Sequence, residues 1–177
     1  FLRAHLQATV KIIVTNPSNA EVSVKPIQND FVADDKEDGS PAIILDENEY
    51  SKSNSLKRFL VPLESFNLAG GETKVVEATI NVPSNAEAGG YFGAIRFAPT
   101  APDAGGQVNM SPSVASIILL RVNGQVSEKL ELTDFQVLQD SKATNYLLSD
   151  QSVSMLVRFK NDSKVQLAPF GSVSVQK

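Results

Sequence analysis

Few of the residues that perform covalent chemistry occur in this sequence. Its 177 residues include one histidine, His5, and no cysteine. A Ser-His-Asp arrangement would have to be assembled around a side chain next to the chain terminus. Thiol nucleophiles, disulfides and cysteine zinc sites are excluded together. There is no Gly-x-Ser-x-Gly elbow, no phosphate-binding glycine loop and no His-x-x-x-His pair. The 20 Asp and Glu residues leave room for a glycosidase-type carboxylate pair. So many acids always produce neighbours, however, and no spacing singles two out. Asp34, Asp35, Glu37 and Asp38 share one loop and raise the question of calcium, a hard cation that takes carboxylate oxygens. Lys36 and Leu45 stand where the EF-hand pattern needs oxygen ligands, so the loop reads as solvated surface. No catalytic residue, metal or cofactor is expected.

The remaining candidates concern recognition. Phe92 and Arg96 lie four residues apart in an extended segment. An exposed Arg near an aromatic ring suits a partner-binding hot spot, and it equally suits an aliphatic stem laid over apolar surface. Tyr91 follows Ala88-Gly89-Gly90. At such corners β-sandwiches place a tyrosine whose hydroxyl caps a backbone group, and stacking on a ligand is the other reading. Gly93, in mid-strand, marks a bulge or a place where a large neighbour packs over the chain.

These residues must be positioned by strands, because alternation of period two recurs from one end of the chain to the other. Ala8, Val10, Ile12 and Val14 share a face, and Asn16-Pro17-Ser18-Asn19 turns the chain toward Val22, Val24 and Ile27. This pair predicts a hairpin. A polar stretch from Asp46 to Ser55 precedes Leu56 to Leu63, read as a strand. Val76, Ala78, Ile80 and Val82 form an apolar face after the Gly70-Gly71 turn, and Tyr91 to Phe97 follow a long corner. After a Gly/Pro/Ala-rich loop to about Pro112, Val114 to Val122 is apolar on both faces, which predicts a central strand.

Asn123-Gly124 is a turn dipeptide and sets a boundary, with one domain over residues 1–124 and another over 125–177. Setting Asn16 on Asn161 puts Ala8, Val10, Ile12 and Val14 opposite Val153, Met155, Val157 and Phe159, each strand running into Asn-x-Ser. Two copies of one module explain that register, and chance alignment of alternating strands is the alternative. Short strands with turn clusters between them predict an all-β chain: an immunoglobulin-like β-sandwich followed by a second, incomplete immunoglobulin-like module. About seven strands make such a sandwich, and Gln125 to Lys177 offers fewer. Either a longer chain or strands from a neighbouring chain would complete it. The initial Phe1 makes a processed or truncated piece the expectation.

The formal net charge of −4 argues against a nucleic-acid binder, which would need a dense basic patch. No apolar run is long enough for a membrane-spanning helix. A cysteine-free chain of extracellular style fits a bacterial surface.

Three segments carry a resemblance: Leu68-Ala69-Gly70-Gly71-Glu72-Thr73, then Val76 to Pro83, then Gly89-Gly90-Tyr91-Phe92-Gly93-Ala94-Ile95-Arg96-Phe97. Their order resembles bacterial surface immunoglobulin-like modules, in particular the WxL-interacting proteins of Gram-positive bacteria, over roughly residues 8–122. Tyr91-Phe92 stands where an aliphatic pair is more usual. The resemblance implies a location at the bacterial cell surface or outside the cell. It also implies a non-catalytic binding or scaffolding role toward a cell-envelope polymer such as peptidoglycan, or toward another surface protein. A broader likeness is to pilus chaperones and fibronectin type III modules. It implies the alternative of a pilus subunit or pilus-chaperone-like protein that joins chains, or itself, by strand addition at sheet edges.

Overall fold

The computed structural model describes residues 6–36, 39–100, 113–144, 146 and 152–174. The Gly/Pro/Ala-rich loop up to Pro112, with Glu37 and Asp38 of the acidic loop, lies outside them. The chain divides into two compact units, Phe1–Gly124 and Gln125–Lys177.

In the first unit the strands are β1 (Leu6–Thr15), β2 (Val22–Ala33), β3 (Pro41–Ile43), β4 (Phe66–Leu68), β5 (Thr73–Val82), β6 (Gly89–Thr100) and β7 (Val114–Val122). All ladder pairings between them are antiparallel. One sheet pairs β1 with β5, and Leu60 adds a bridge to Ile80 on the far side of β5. The other runs β3-β2-β6-β7, with β4 also against β2. In an immunoglobulin sandwich, strands B, E and D are neighbours in one sheet and C, F and G in the other. β1, β5 and the Leu60 segment take the first set of places, and β2, β6 and β7 the second. The fold is therefore an all-β, immunoglobulin-like sandwich.

The pleat sends alternate side chains between the sheets. Val76, Ala78, Ile80 and Val82 of β5 meet Val24 of β2, Ile95 and Phe97 of β6 and Ile118 of β7, with Val10, Ile12 and Val14 packed alongside.

Three elements depart from the sequence reading. First, β1 and β2 form no hairpin. β1 pairs with β5 and β2 with β6, because the turn at Asn16 carries the chain from one sheet to the other. The buried Asn16 amide donates to the carbonyls of Ala20, Leu68 and Ala69 at 2.8, 3.2 and 3.0 Å, so the turn is fastened across to the β4–β5 connection. Gly70 permits that approach, since a Cβ there would lie 2.5 Å from the Asn19 carbonyl carbon. Second, Leu56 to Leu63 is not a strand; Lys57–Phe59 forms a 3-10 turn. Third, among the described residues β7 is an edge strand and not a central one.

The 3-10 turn is fixed by buried polar groups. Asp30, fully buried in β2, accepts the backbone N–H of Lys57 on Oδ1 at 3.0 Å and that of Ser51 on Oδ2 at 2.9 Å. Lys57 donates its ammonium to the carbonyls of Glu47 and Glu49 at 2.6 and 3.0 Å, and lies 4.3 Å from the centre of the Tyr50 ring. With its donors satisfied, the cation tolerates burial. Leu56, 0% exposed, then drops into the core over Gly93.

The second unit has strands β8 (Leu130–Gln139), β9 (Lys142–Ala143) and β10 (Val153–Asn161), in the order β10-β8-β9. Asp140 and Ser141, both at positive φ, make the tight turn into β9. A register shift between Arg158 and Phe159 skips Thr133 of β8, which bulges while β10 continues unbroken. Leu132, Phe135, Val157, Phe159, Phe170 and Val173 line a hollow of about 550 Å³ on the apolar side. Asp162 closes the β10 end. Hydrogen bonds from Lys160 and Lys129 hold its carboxyl below the ordinary aspartate range, and the bond to Asp162 raises the Lys160 ammonium above its ordinary value.

Candidate partner-binding face

Strand β6 carries all four residues singled out by the sequence, and the pleat sorts them onto opposite sides. Tyr91, Gly93, Ile95 and Phe97 lie on the core side, and Phe92, Ala94 and Arg96 on the opposite side, where Ala94 is fully buried and Phe92 and Arg96 are half-buried.

On the core side, the Tyr91 hydroxyl donates to the carbonyl of Glu87 at 3.0 Å, and its ring lies 4.7 Å from that of Phe59. This is the geometry of a tyrosine that ties a sandwich corner. Tyr91→Phe should therefore lower stability by about 1 kcal/mol, the usual worth of such a hydrogen bond; a chemical denaturation midpoint equal to that of the wild type would contradict it. Gly93 is buried with no room for a side chain, since a Cβ would meet the Leu56 Cβ at 3.0 Å and the Asn29 carbonyl oxygen at 3.3 Å. Its place is the one where a large neighbour crosses the strand.

On the outer side, cross-strand register determines the neighbours. Phe92 is opposite Leu119, Ala94 opposite Ile117 and Arg96 opposite Ala115 on β7; toward β2, Arg96 is opposite Ile27. Directly opposed residues share a face and lie close enough to touch. Half-buried Phe92 also packs against Phe31, ring centres 5.8 Å apart. Ile117 and Leu119 are 42% and 52% exposed, so the outer face of β6 and β7 is an apolar strip. Arg96 is half-buried at its edge, and its Nε is enclosed without a hydrogen-bond partner among the described residues. An enclosed donor of that kind is costly unless something accepts from it.

Ile117 and Leu119 were not singled out by sequence reasoning, although the double apolar face of Val114 to Val122 was visible in it. The edge of the strip is also open. Among the described residues β7 pairs with β6 alone, which leaves one side of its backbone unpaired. Such an edge is a template for another strand. Asp34 pairs with Lys36 at 3.5 Å, and among the described residues no group of acidic or histidine side chains is arranged to hold a metal. Also among them, no helix is long and apolar enough to cross a membrane.

The protein is thus of the immunoglobulin-like sandwich class, with an outer apolar strip on β6 and β7 that runs to an edge left open among the described residues. No protein-family model and no curated protein matches the chain. Among solved structures it is similar to the class 5 fimbriae chaperone CfaA, with 10% identity and a TM-score of 0.49, covering 89% of this chain and 77% of that one. It is similar also to a chain of a chaperone-tip adhesin complex described as vital for synergistic activation of CFA/I fimbriae biogenesis, with 10% identity and a TM-score of 0.47, over 88% and 78%. A third is the E. coli chaperone DraB, with 13% identity and a TM-score of 0.39, over 86% and 75%.

Proposed function

We propose that this protein is a non-catalytic module of the bacterial envelope that holds a partner polypeptide by strand addition along β7, in the manner of a pilus chaperone or pilus subunit. The observation that carries the reading is the position of β7. It is a strand apolar on both faces, yet it lies at a sheet edge with Ile117 and Leu119 exposed. A lone edge of this composition invites aggregation unless it has an occupant. An extended peptide docked there gains main-chain hydrogen bonds from the edge and side-chain contacts from the apolar strip. Phe92 supplies the centre of the strip, and Arg96 lies half-buried at its rim.

The test is capture of an envelope protein by the purified chain, compared with the Ile117→Asp and Leu119→Asp variants. Both positions are solvent-facing, so these variants keep the wild-type melting temperature to within about 2 °C, as expected for surface substitutions. Each is expected to weaken capture at least about tenfold, the effect of placing a charge in a desolvated contact. Capture that survives both substitutions sinks the reading. Sedimentation with purified peptidoglycan, unaffected by either change, would instead favour the polymer-binding role that the WxL-interacting resemblance implies.

A further inference from the structure

Asn123-Gly124 closes the first unit, directly after the last rung of β7, where Val122 is opposite Gly89. Both residues are exposed. Among the described residues nothing hydrogen-bonds the Asn123 side chain, and the Gly124 N–H has no acceptor. The glycine is required by packing, since a Cβ at Gly124 would lie 2.5 Å from the Ala88 Cβ. The fold therefore demands the one residue type without a side chain immediately after an unrestrained asparagine.

That pairing has a chemical consequence. Attack of a backbone nitrogen on the side-chain carbonyl carbon of the asparagine before it closes a five-membered ring. The step needs a side chain that can turn toward the nitrogen and a nitrogen that can give up its proton. A hydrogen bond on either group opposes it, and so does a Cβ on the following residue, which crowds the nitrogen. The other described asparagines are held back in these ways. The side chains of Asn16, Asn29, Asn67, Asn81 and Asn161 are hydrogen-bonded. Asn19, Asn48 and Asn85 precede residues that carry a Cβ and whose N–H is already bonded. Ala20 donates to Ser18 Oγ at 3.3 Å, Glu49 to the Asp46 carbonyl at 3.2 Å and Ala86 to the Pro83 carbonyl at 3.0 Å. Ser55, which follows Asn54, is buried.

We propose that Asn123 is a site of spontaneous covalent modification, converting to aspartate and isoaspartate through a cyclic imide formed with Gly124. Hydroxide removes the Gly124 amide proton, and the nitrogen adds to Asn123 Cγ. The Cγ–Nδ2 bond breaks, and Nδ2 leaves as ammonia with a proton from water. Water then opens the imide. Addition at Cγ gives aspartate. Addition at the main-chain carbonyl carbon gives isoaspartate, in which the chain runs through Cβ and Cγ and is one carbon longer. No oxidant, reductant or second protein takes part. Both products place a new negative charge at the end of the first unit, and isoaspartate also lengthens the chain there. Asn123 lies beyond the last rung of β7, so the ladder stays closed. This inference does not rest on the role proposed for β7.

The test follows the intact 177-residue chain in mildly alkaline buffer, sampled over time, digested in acid and mapped by mass spectrometry. An isoaspartyl methyltransferase with labelled S-adenosylmethionine reads the isoaspartate fraction of each peptide. The Asn123 peptide should gain about one mass unit, with labelling, at a rate proportional to hydroxide concentration. That rate should lie within about tenfold of the rate in a synthetic peptide of residues 119–127, because no hydrogen bond has to open first. Asn19, Asn48 and Asn85 should convert at least about tenfold more slowly, since each following N–H must first leave its acceptor. Asn123→Gln, whose attack would require a six-membered ring, should lose the label from this peptide while melting like the wild type. Conversion of Asn123 more than about tenfold slower than in the synthetic peptide overturns the proposal, because the fold would then be protecting it. Earlier conversion of Asn19, Asn48, Asn54 or Asn85 overturns it too, as does undiminished label in Asn123→Gln.

Discussion

Replacing Asp30 by alanine should unfold the first unit more readily than any other polar substitution, at a cost of about 3–4 kcal/mol. The carboxylate is completely enclosed and is the acceptor for two backbone donors, those of Ser51 and Lys57. Alanine leaves both without an acceptor, the Lys57 N–H in a buried place and the Ser51 N–H in a part-buried one, and each such orphan costs about 1–3 kcal/mol. The same change loosens the segment whose carbonyls cage the Lys57 ammonium, exposing a buried cation to loss of its partners. A fall of about 10–15 °C in the melting temperature is expected for a unit of this size. Asp30→Asn retains one acceptor oxygen and should recover roughly half of the loss. Thermal melts of the full chain, followed through amide signals of β2 and β6, measure both. A shift under about 3 °C for Asp30→Ala would show that the loop is held by something other than this carboxylate.

Leu56→Ala should cost about 3–4 kcal/mol, in the range of buried leucine truncations. Its side chain has no exposed surface and fills the space over Gly93 of β6, where a Cβ would meet the Leu56 Cβ at 3.0 Å. The backbone on either side is pinned. The Leu56 N–H is 3.4 Å from the Phe92 carbonyl oxygen, and Asn54 accepts from the Phe92 N–H at 2.9 Å. Collapse into the cavity is therefore resisted, which places the cost toward the upper part of the range. Urea denaturation reads the result; a midpoint change corresponding to less than about 1.5 kcal/mol would mean that the core repacks freely around Gly93.

These two residues also show where sequence reasoning stopped. Alternation located β1, β5 and β6, because a strand with one buried face must place an apolar residue at every second position; it located β10 as well, although every residue of that strand is exposed. Leu56 to Leu63 carried enough apolar residues to pass for a strand. Its actual conformation depends on Asp30, 26 and more positions away in sequence, accepting the Lys57 N–H. Nothing in a local window reveals such a bond. The hairpin expected for β1 and β2 failed for the same kind of reason. A turn rich in Asn, Pro and Ser serves a hairpin and a sheet-to-sheet corner equally well, and the choice lay with Leu68 and Ala69 on a distant segment.

The candidate face was half legible. Phe92 and Arg96 could be placed on one side of β6 by counting alternate residues, and Tyr91 and Gly93 on the other. Their neighbours Ile117 and Leu119 were hidden in a segment whose apolar residues fill both faces. A strand that is apolar on both sides because it is central and one that is so because its outer face awaits a partner have the same sequence pattern.

The sequence by itself determined that this protein is all-β, that cysteine and clustered histidine chemistry is absent from it, and that its strands face inward at known positions. Those properties follow from residue type and a two-residue period, both of which are local. Only the tertiary structure decided which strands are neighbours and that, among the described residues, β7 ends a sheet. Pairing and edges are properties of backbone hydrogen bonds between distant segments, and the backbone of every residue but proline offers the same donor and acceptor.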